Sequence, residues 1–242
     1  MLEILKLKKV YTNGFLRKKV FSTQSVSFQL RQGEILGLVG PSGCGKTTVA
    51  RMIAGLESPT DGKLMLDGSD LNFRKTENRF RYRKQVQMIS QHPELALDPK
   101  QTAGNAVIEV LLYHRLASSR KKALDMTREW FEKTGLAWEI AKRFPREMSG
   151  GQAQRVAMIR ALSLSPRFLI ADEPTSMLDL SVQTMILRLI IGLKEKKKTG
   201  VLLITHDMDV VNALCDRVIT MNTSEQEAGD VFMNFKDERN PP

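Results

Sequence analysis

The nine residues Gly40-Pro41-Ser42-Gly43-Cys44-Gly45-Lys46-Thr47-Thr48 constrain this chain more than any other stretch. They follow the apolar run Ile35-Leu36-Gly37-Leu38-Val39 and precede Val49-Ala50-Arg51-Met52-Ile53-Ala54, so they read as the turn between a buried strand and a helix. Closely spaced glycines let the backbone wrap an anion, with successive N–H groups and the helix N-terminus pointing at it. Lys46 adds a full positive charge, and Thr47 a hydroxyl suited to Mg²⁺, which keeps most of its waters and takes few protein oxygens. A glycine-rich turn that binds nothing would account for the glycines but not for Lys46 and Thr47 in register with them. The pattern is that of a phosphate loop, and it implies a nucleoside triphosphate held with Mg²⁺.

Composition narrows the setting. At 242 residues the chain suits one large α/β domain or two small lobes. Its longest apolar stretches, such as Met185 to Ile191, are short or interrupted by charge, so no helix is expected to span a bilayer. The opening Met1-Leu2-Glu3-Ile4-Leu5-Lys6 lacks the regions of a signal peptide, which points to the cytosol. Cys44 and Cys215 are too few for a disulfide framework and read as free thiols. A net charge of +10 permits an anionic partner. However, the basic clusters at Arg74 to Lys84 and Lys194 to Lys198 carry no ladder of stacking aromatics, and they read as solvated faces, not a specific nucleic-acid site.

Along the chain, Leu2 to about Leu30 alternates apolar and polar positions around a turn at Thr12-Asn13-Gly14, as antiparallel strands with one wet face do. Tyr11 lies among them, either a half-buried strand aromatic or a ring that stacks on a nucleotide base. Lys63 to Gly68 reads as a short strand and turn, and Gln85 to Ser90 as a strand that delivers Gln91 at its end, where function gathers in α/β sheets. From Pro93 to about Arg146, helical periodicity in Ala106–Arg115 and Lys121–Thr134 marks a separate helical lobe inserted into the sheet domain.

Ser149-Gly150-Gly151-Gln152 then opens a helix through Leu162, presenting a second set of backbone N–H groups and a hydroxyl to an anion. Phe168 to Ala171 reads as a buried parallel strand ending in Asp172 and Glu173. Asp172 is placed to hold Mg²⁺ through water, and Glu173 to polarise the water that attacks the γ-phosphate. Val201 to Thr205 is a further buried strand, with His206 at its end on the same edge as Lys46, Gln91 and Glu173, which favours contact with the γ-phosphate. His92 and His114 carry no functional assignment.

With the phosphate loop, Gln91, Ser149 to Gln152, Asp172-Glu173, the Ser176 to Asp179 loop and His206 in this order, the chain resembles the ATP-binding subunit of ABC transporters. Gln91-His92-Pro93 with Leu97-Asp98-Pro99, and Leu178 to Gln183, are similar to the peptide and nickel import branch. The resemblance implies a P-loop NTPase core sheet with an antiparallel β subdomain and an inserted α-helical subdomain. The expected divisions are 1–91, the β subdomain and first part of the core; 92–160, the helical subdomain with the signature; and 161–242, the rest of the core and a short tail.

It also implies a dimer sandwiching two ATPs, each between Gly40 to Thr48 of one subunit and Ser149 to Gln152 of the other, with Asp179 crossing the interface. Tyr11 matches the base-stacking aromatic, Gln91 the residue that senses Mg²⁺, Glu173 the general base and His206 the γ-phosphate switch. The implied partners are two membrane permeases, an extracytoplasmic solute-binding protein and a paralogous ATPase in a heterodimer, at the cytoplasmic face of the membrane. Competing readings are a soluble ABC ATPase acting on nucleic acid or ribosomes, and a cassette for phosphonate metabolism or export. Met148 departs from the family's usual Leu, and Asn222 to Ala228 stands where the family makes a glycine-turned hairpin.

Overall fold

The computed structural model describes residues 1–12, 19–71, 76–92, 96–176 and 178–222, with two compact units. The first comprises Met1–Met88, Arg167–Asp172 and the chain from Lys194 onward; the second comprises Ile89–Pro166 and Glu173–Leu193.

In the first unit a parallel sheet carries the centre. Its strands run in the order β11 (Arg217–Thr220), β5 (Ile35–Val39), β10 (Gly200–Ile204), β9 (Phe168–Asp172) and β8 (Val86–Ile89). Every residue of β9 and β10 is buried, as expected for strands covered on both faces. The register is continuous: Leu38 pairs with Ile204, and Ile204 with Asp172, so the carboxyl ends of β5, β10 and β9 lie level. Helix α1 (Lys46–Ile53) follows β5 and packs on β9.

The antiparallel sheet of this unit has the order β4 (Val26–Leu30), β1 (Leu2–Lys8), β6 (Asp61–Leu66), β7 (Ser69–Asp70). β4 alternates buried and exposed positions, the period of a half-wet strand. β1 buries Leu2 and Ile4 and then Leu7, a change of phase made by a bulge at Lys6, whose φ is 48°. A Cβ on Gly62 would stand 2.3 Å from the Lys6 carbonyl oxygen, so glycine is required opposite the bulge. A two-stranded ribbon pairs β2 (Val10–Thr12) with β3 (Lys19–Ser22); the expected turn at Asn13-Gly14 falls outside the described residues. One core joins both main sheets, from Leu2, Ile4 and Phe28 to Met52, Phe168, Leu202 and Met221.

The basic run around Arg79 forms a helix, α2 (Thr76–Gln85), that the sequence pattern did not suggest. It is held by Tyr82, 1% exposed, whose hydroxyl donates to the Ile53 carbonyl.

In the second unit, α3 (Ala103–Tyr113), α4 (Arg120–Lys133) and α5 (Gly150–Leu162) pack with 3₁₀ turns at Trp138–Lys142 and Pro145–Glu147. Ser149 and Ser119 cap α5 and α4 by accepting from Gln152 N and Lys122 N. Val107, Leu111, Phe131, Val156 and Ile159 form its core, and Phe131 meets Trp138 edge to face at 5.5 Å. Helix α6 (Leu180–Lys197) begins in this unit, and α7 (Met208–Leu214) lies in the first.

Candidate functional site

The loop between β5 and α1 is shaped by glycine. Gly40, Gly43 and Gly45 have φ of 152°, 79° and 104°, where an L side chain is strained. A Cβ would also meet Met221 O at 2.4 Å from Gly40 and Thr23 Cγ2 at 2.8 Å from Gly45. Gly45 supplies no side-chain cap, so the leading N–H groups of α1 are left to an anion at its N-terminus. Lys46 Nζ donates to Gly40 O at 2.8 Å and Pro41 O at 2.9 Å, with Cys44 Sγ 4.0 Å away. Pro41, Ser42 and Thr47 are exposed, Thr48 is half-buried and Cys44 is 5% exposed.

Asp172, 1% exposed, ends β9 beside Ile204, and β10 continues through buried Thr205 to exposed His206. Thr205 Oγ1 accepts from Asp207 N, and Asp207 caps α7 by accepting from Asp209 N and Val210 N. His206 therefore stands between two anchored neighbours, level with the end of β5 that opens the glycine loop.

Tyr11 donates to Glu57 Oε1 at 2.5 Å, and its ring lies 6.0 Å from that of Phe21. Burial and then Glu57 push the phenol up, so it stays a neutral donor. The residue is 36% exposed, which leaves its ring open to a planar group.

These residues of the first unit fit a triphosphate and Mg²⁺. Among the described residues no cluster of three or more His, Cys, Asp or Glu is placed to hold a metal. A cation served by Thr47 and Asp172 would keep water and phosphate ligands, the habit of Mg²⁺ and not of zinc or calcium.

The second unit holds Gln91, Glu173, the Ser149–Gln152 turn and Asp179. Gln91 is half-buried, just past Ser90, whose Oγ accepts from His92 N at 3.1 Å. Glu173 adopts φ 48°, unusual for this residue type, and its carbonyl accepts from Ser176 Oγ at 3.1 Å and Ser176 N at 3.4 Å. Ser149 and Gln152 form a reciprocal cap: Ser149 Oγ accepts from Gln152 N, and Gln152 Oε1 from Ser149 N at 3.1 Å. Ser149 and Gly150 remain exposed at the start of α5, with the hydroxyl proton of Ser149 available to an acceptor. Asp179 is held below the usual carboxylate range, first by the Ser181 hydroxyl at 2.6 Å and then by Val182 N at 3.0 Å, and it caps α6.

Sequence reasoning passed over two residues of α5. Arg155 donates to Gly151 O, Thr134 O and Gly135 O, tying the Ser149–Gln152 turn to the end of α4. Gln154 is 1% exposed and donates to Ser90 O and Pro174 O. An amide and a guanidinium on a helix read as surface; only their spacing one turn past the Gly-Gly pair signals otherwise.

A family model described as ABC transporter matches residues 23–176. The oligopeptide transport ATP-binding protein OppF of Bacillus subtilis (strain 168) is 39% identical over 222 residues, 91% of this chain and 72% of that protein. The putative oligopeptide transport ATP-binding protein YkfD of the same organism is 38% identical over 221 residues, 91% of this chain and 67% of that one. The di/tripeptide transport ATP-binding protein DppF of Pseudomonas aeruginosa (strain UCBPP-PA14) is 38% identical over 203 residues, 84% of this chain and 62% of that one. Among solved structures, the dimeric post-hydrolysis state of the ATP-binding cassette MJ0796 bound to ADP and Pi superposes with a TM-score of 0.85 at 27% identity, over 98% of this chain and 99% of that one. The matched stretch holds the glycine loop, the Ser149–Gln152 turn and the Asp172-Glu173 strand end together, and the chain belongs to the ABC transporter family as one of its ATPase cassettes.

Proposed function

We propose that this chain is the nucleotide-binding subunit of a peptide importer, hydrolysing ATP to drive oligopeptide or dipeptide uptake through membrane permeases. The observation that carries the chemistry is the level register of Leu38, Ile204 and Asp172, which puts the glycine loop, His206 and a buried carboxylate along one sheet edge. The peptide-transport names of the similar proteins support the substrate class.

In this reading Tyr11 stacks on the base, and the N–H groups of Gly40 to Thr48 with Lys46 hold the β- and γ-phosphates. Thr47, Asp172 and Gln91 would hold Mg²⁺, Asp172 through water, and the ion would supply neutralising charge at the phosphate oxygens when bound. Glu173 takes the proton from the attacking water, and His206 donates to the γ-phosphate. Ser149, Gly150, Gly151 and Gln152 serve the ATP of a partner subunit, with Asp179 at the interface; the dimeric state of the similar MJ0796 cassette supports a dimer.

The assembly comprises a paralogous ATPase, two permeases and an extracytoplasmic solute-binding protein, with this chain on the cytoplasmic face. Among the described residues no helix is long and apolar enough to cross a membrane. The surface of the helical lobe near Gln91 to Thr102 receives the permease in this reading. ATP binding favours the closed dimer and hydrolysis the open one, so differential affinity becomes motion.

The test is to tag the chain, solubilise native membranes gently and identify what copurifies, then measure peptide uptake in cells carrying Glu173→Gln. Permeases with a second cassette, and uptake lost in the variant, are expected. Copurification with nucleic acid or ribosomes and no membrane partner would overturn the reading.

A further inference from the structure

Gln154 is among the most deeply buried polar side chains of the second unit, at 1% exposure. Its Nε2 lies 3.4 Å from the carbonyl oxygen of Ser90 and 3.3 Å from that of Pro174. Both partners are backbone acceptors, so only the NH₂ side of the amide can face them and the orientation of the group is fixed. Ser90 immediately precedes Gln91, and Pro174 immediately follows Glu173. Segments far apart in the chain, each bearing a residue assigned to hydrolysis, thus meet at one amide.

Two further observations separate this from ordinary packing. Gln154 Oε1 is buried and accepts no hydrogen bond among the described residues. A buried amide with half its capacity unused is a costly way to fill space, and an apolar side chain of similar volume would do so without that cost. The two hydrogen bonds are what the amide supplies there. In addition, the turn after Glu173 is held by Ser176, whose N–H and hydroxyl both donate to Glu173 O. With Ser176 on one carbonyl and Gln154 on the next, the backbone that aims Glu173 is fixed at consecutive peptide units.

We infer that Gln154 is a positioning residue for ATP hydrolysis, a buried bracket that keeps the Gln91 segment and the Glu173 turn in register with each other. The inference rests on the roles proposed above for Gln91 and Glu173. Gln154 itself touches neither phosphate nor water in this assignment; it acts through the two carbonyls.

The test uses steady-state ATP turnover by the full chain. Gln154→Met, close in volume and without donors, is expected to lower kcat about ten-fold with KM for ATP changed less than about two-fold, because the nucleotide-holding loop is in the other unit. Gln154→Glu, whose carboxylate opposes both carbonyls, is expected to lose more. Gln91→Ala supplies the discriminating cycle: in that background the penalty of Gln154→Met should shrink to about two-fold or less, since the bracket has one fewer residue to place. A residue that merely supports the fold would lower kcat by the same factor in both backgrounds. Unchanged kcat in Gln154→Met, or the same factor in both backgrounds, overturns the bracket. Glu173→Gln, measured alongside, separates the two levels: if it keeps near-normal turnover, the underlying assignment of the base fails; if it is inactive while Gln154→Met is normal, only the bracket fails.

Discussion

Lys46 Nζ donates to the carbonyl oxygen of Gly40 at 2.8 Å, bending the side chain back over the loop that carries it. With Pro41 O accepting at 2.9 Å, the ammonium is held where an anion cradled by the same loop would meet it. Lys46→Ala is expected to lower kcat/KM for ATP by about 100-fold or more, as loss of a charge aimed at phosphate does. Lys46→Arg should not restore it, because a planar guanidinium cannot occupy a position set by two carbonyls around a compact ammonium. Turnover together with binding of a fluorescent ATP analogue checks both.

Glu173→Gln keeps the shape of the side chain and removes the carboxylate proposed above as the base. Hydrolysis should fall by about 100-fold or more while ATP still binds, and an ATP-dependent dimer should accumulate. Sedimentation with and without ATP measures this; a variant that stays monomeric at saturating ATP counts against the assignment.

The two thiols are both buried, Cys44 at 5% and Cys215 at 3% exposure. Burial, and then the charge of Asp216, push Cys215 up to about 12, so it is protonated and unreactive at neutral pH. Maleimide should label neither cysteine quickly in the folded protein and both in urea. Slow labelling of the native protein should fall on Cys44, abolish ATP turnover and be retarded by ATP. Peptide mapping decides it; Cys215 labelled first would contradict the structure.

Asp67 joins Arg167, Nη1 to Oδ2 at 2.7 Å, and the amino group of Met1. The Arg167 guanidinium first, and that amino group second, lower its carboxyl to about 2 from an ordinary value of 3.8. A carboxylate depressed in the folded state adds stability above its unfolded pKa and loses it as pH falls through the folded one, here from about pH 4 to about 2. Asp67→Asn should therefore be less stable than the parent at neutral pH, with the gap closing over that acid window. Asparagine tolerates the local φ of 51°, so the comparison isolates charge. Because the side chain is half exposed the effect is modest; urea titrations at several pH values follow it.

Much of the frame could be read in advance where apolar runs were unbroken. The strands ending at Val39, Asp172 and Ile204, and the helices near Ala106 and Lys121, lie where periodicity put them, within a few residues. Helix α2 escaped because Thr76–Gln85 carries no apolar stripe; Tyr82 anchors it by a contact with Ile53 that no local pattern encodes. Gln154 escaped for a related reason, since its partners, Ser90 and Pro174, are near it only in the folded chain. The backbone of Glu173 was equally hidden, because glutamate carries no signal for a left-handed conformation.

That last conformation sets the chemistry of this cassette against its own durability. Holding a non-glycine residue at φ 48° costs on the order of 1 kcal/mol or more in folding free energy. Glycine or asparagine at position 173 would sit there with less strain, so Glu173→Gly and Glu173→Asn should raise the thermal midpoint of the isolated chain while abolishing turnover. A screen for heat resistance alone would therefore select dead enzymes at this position.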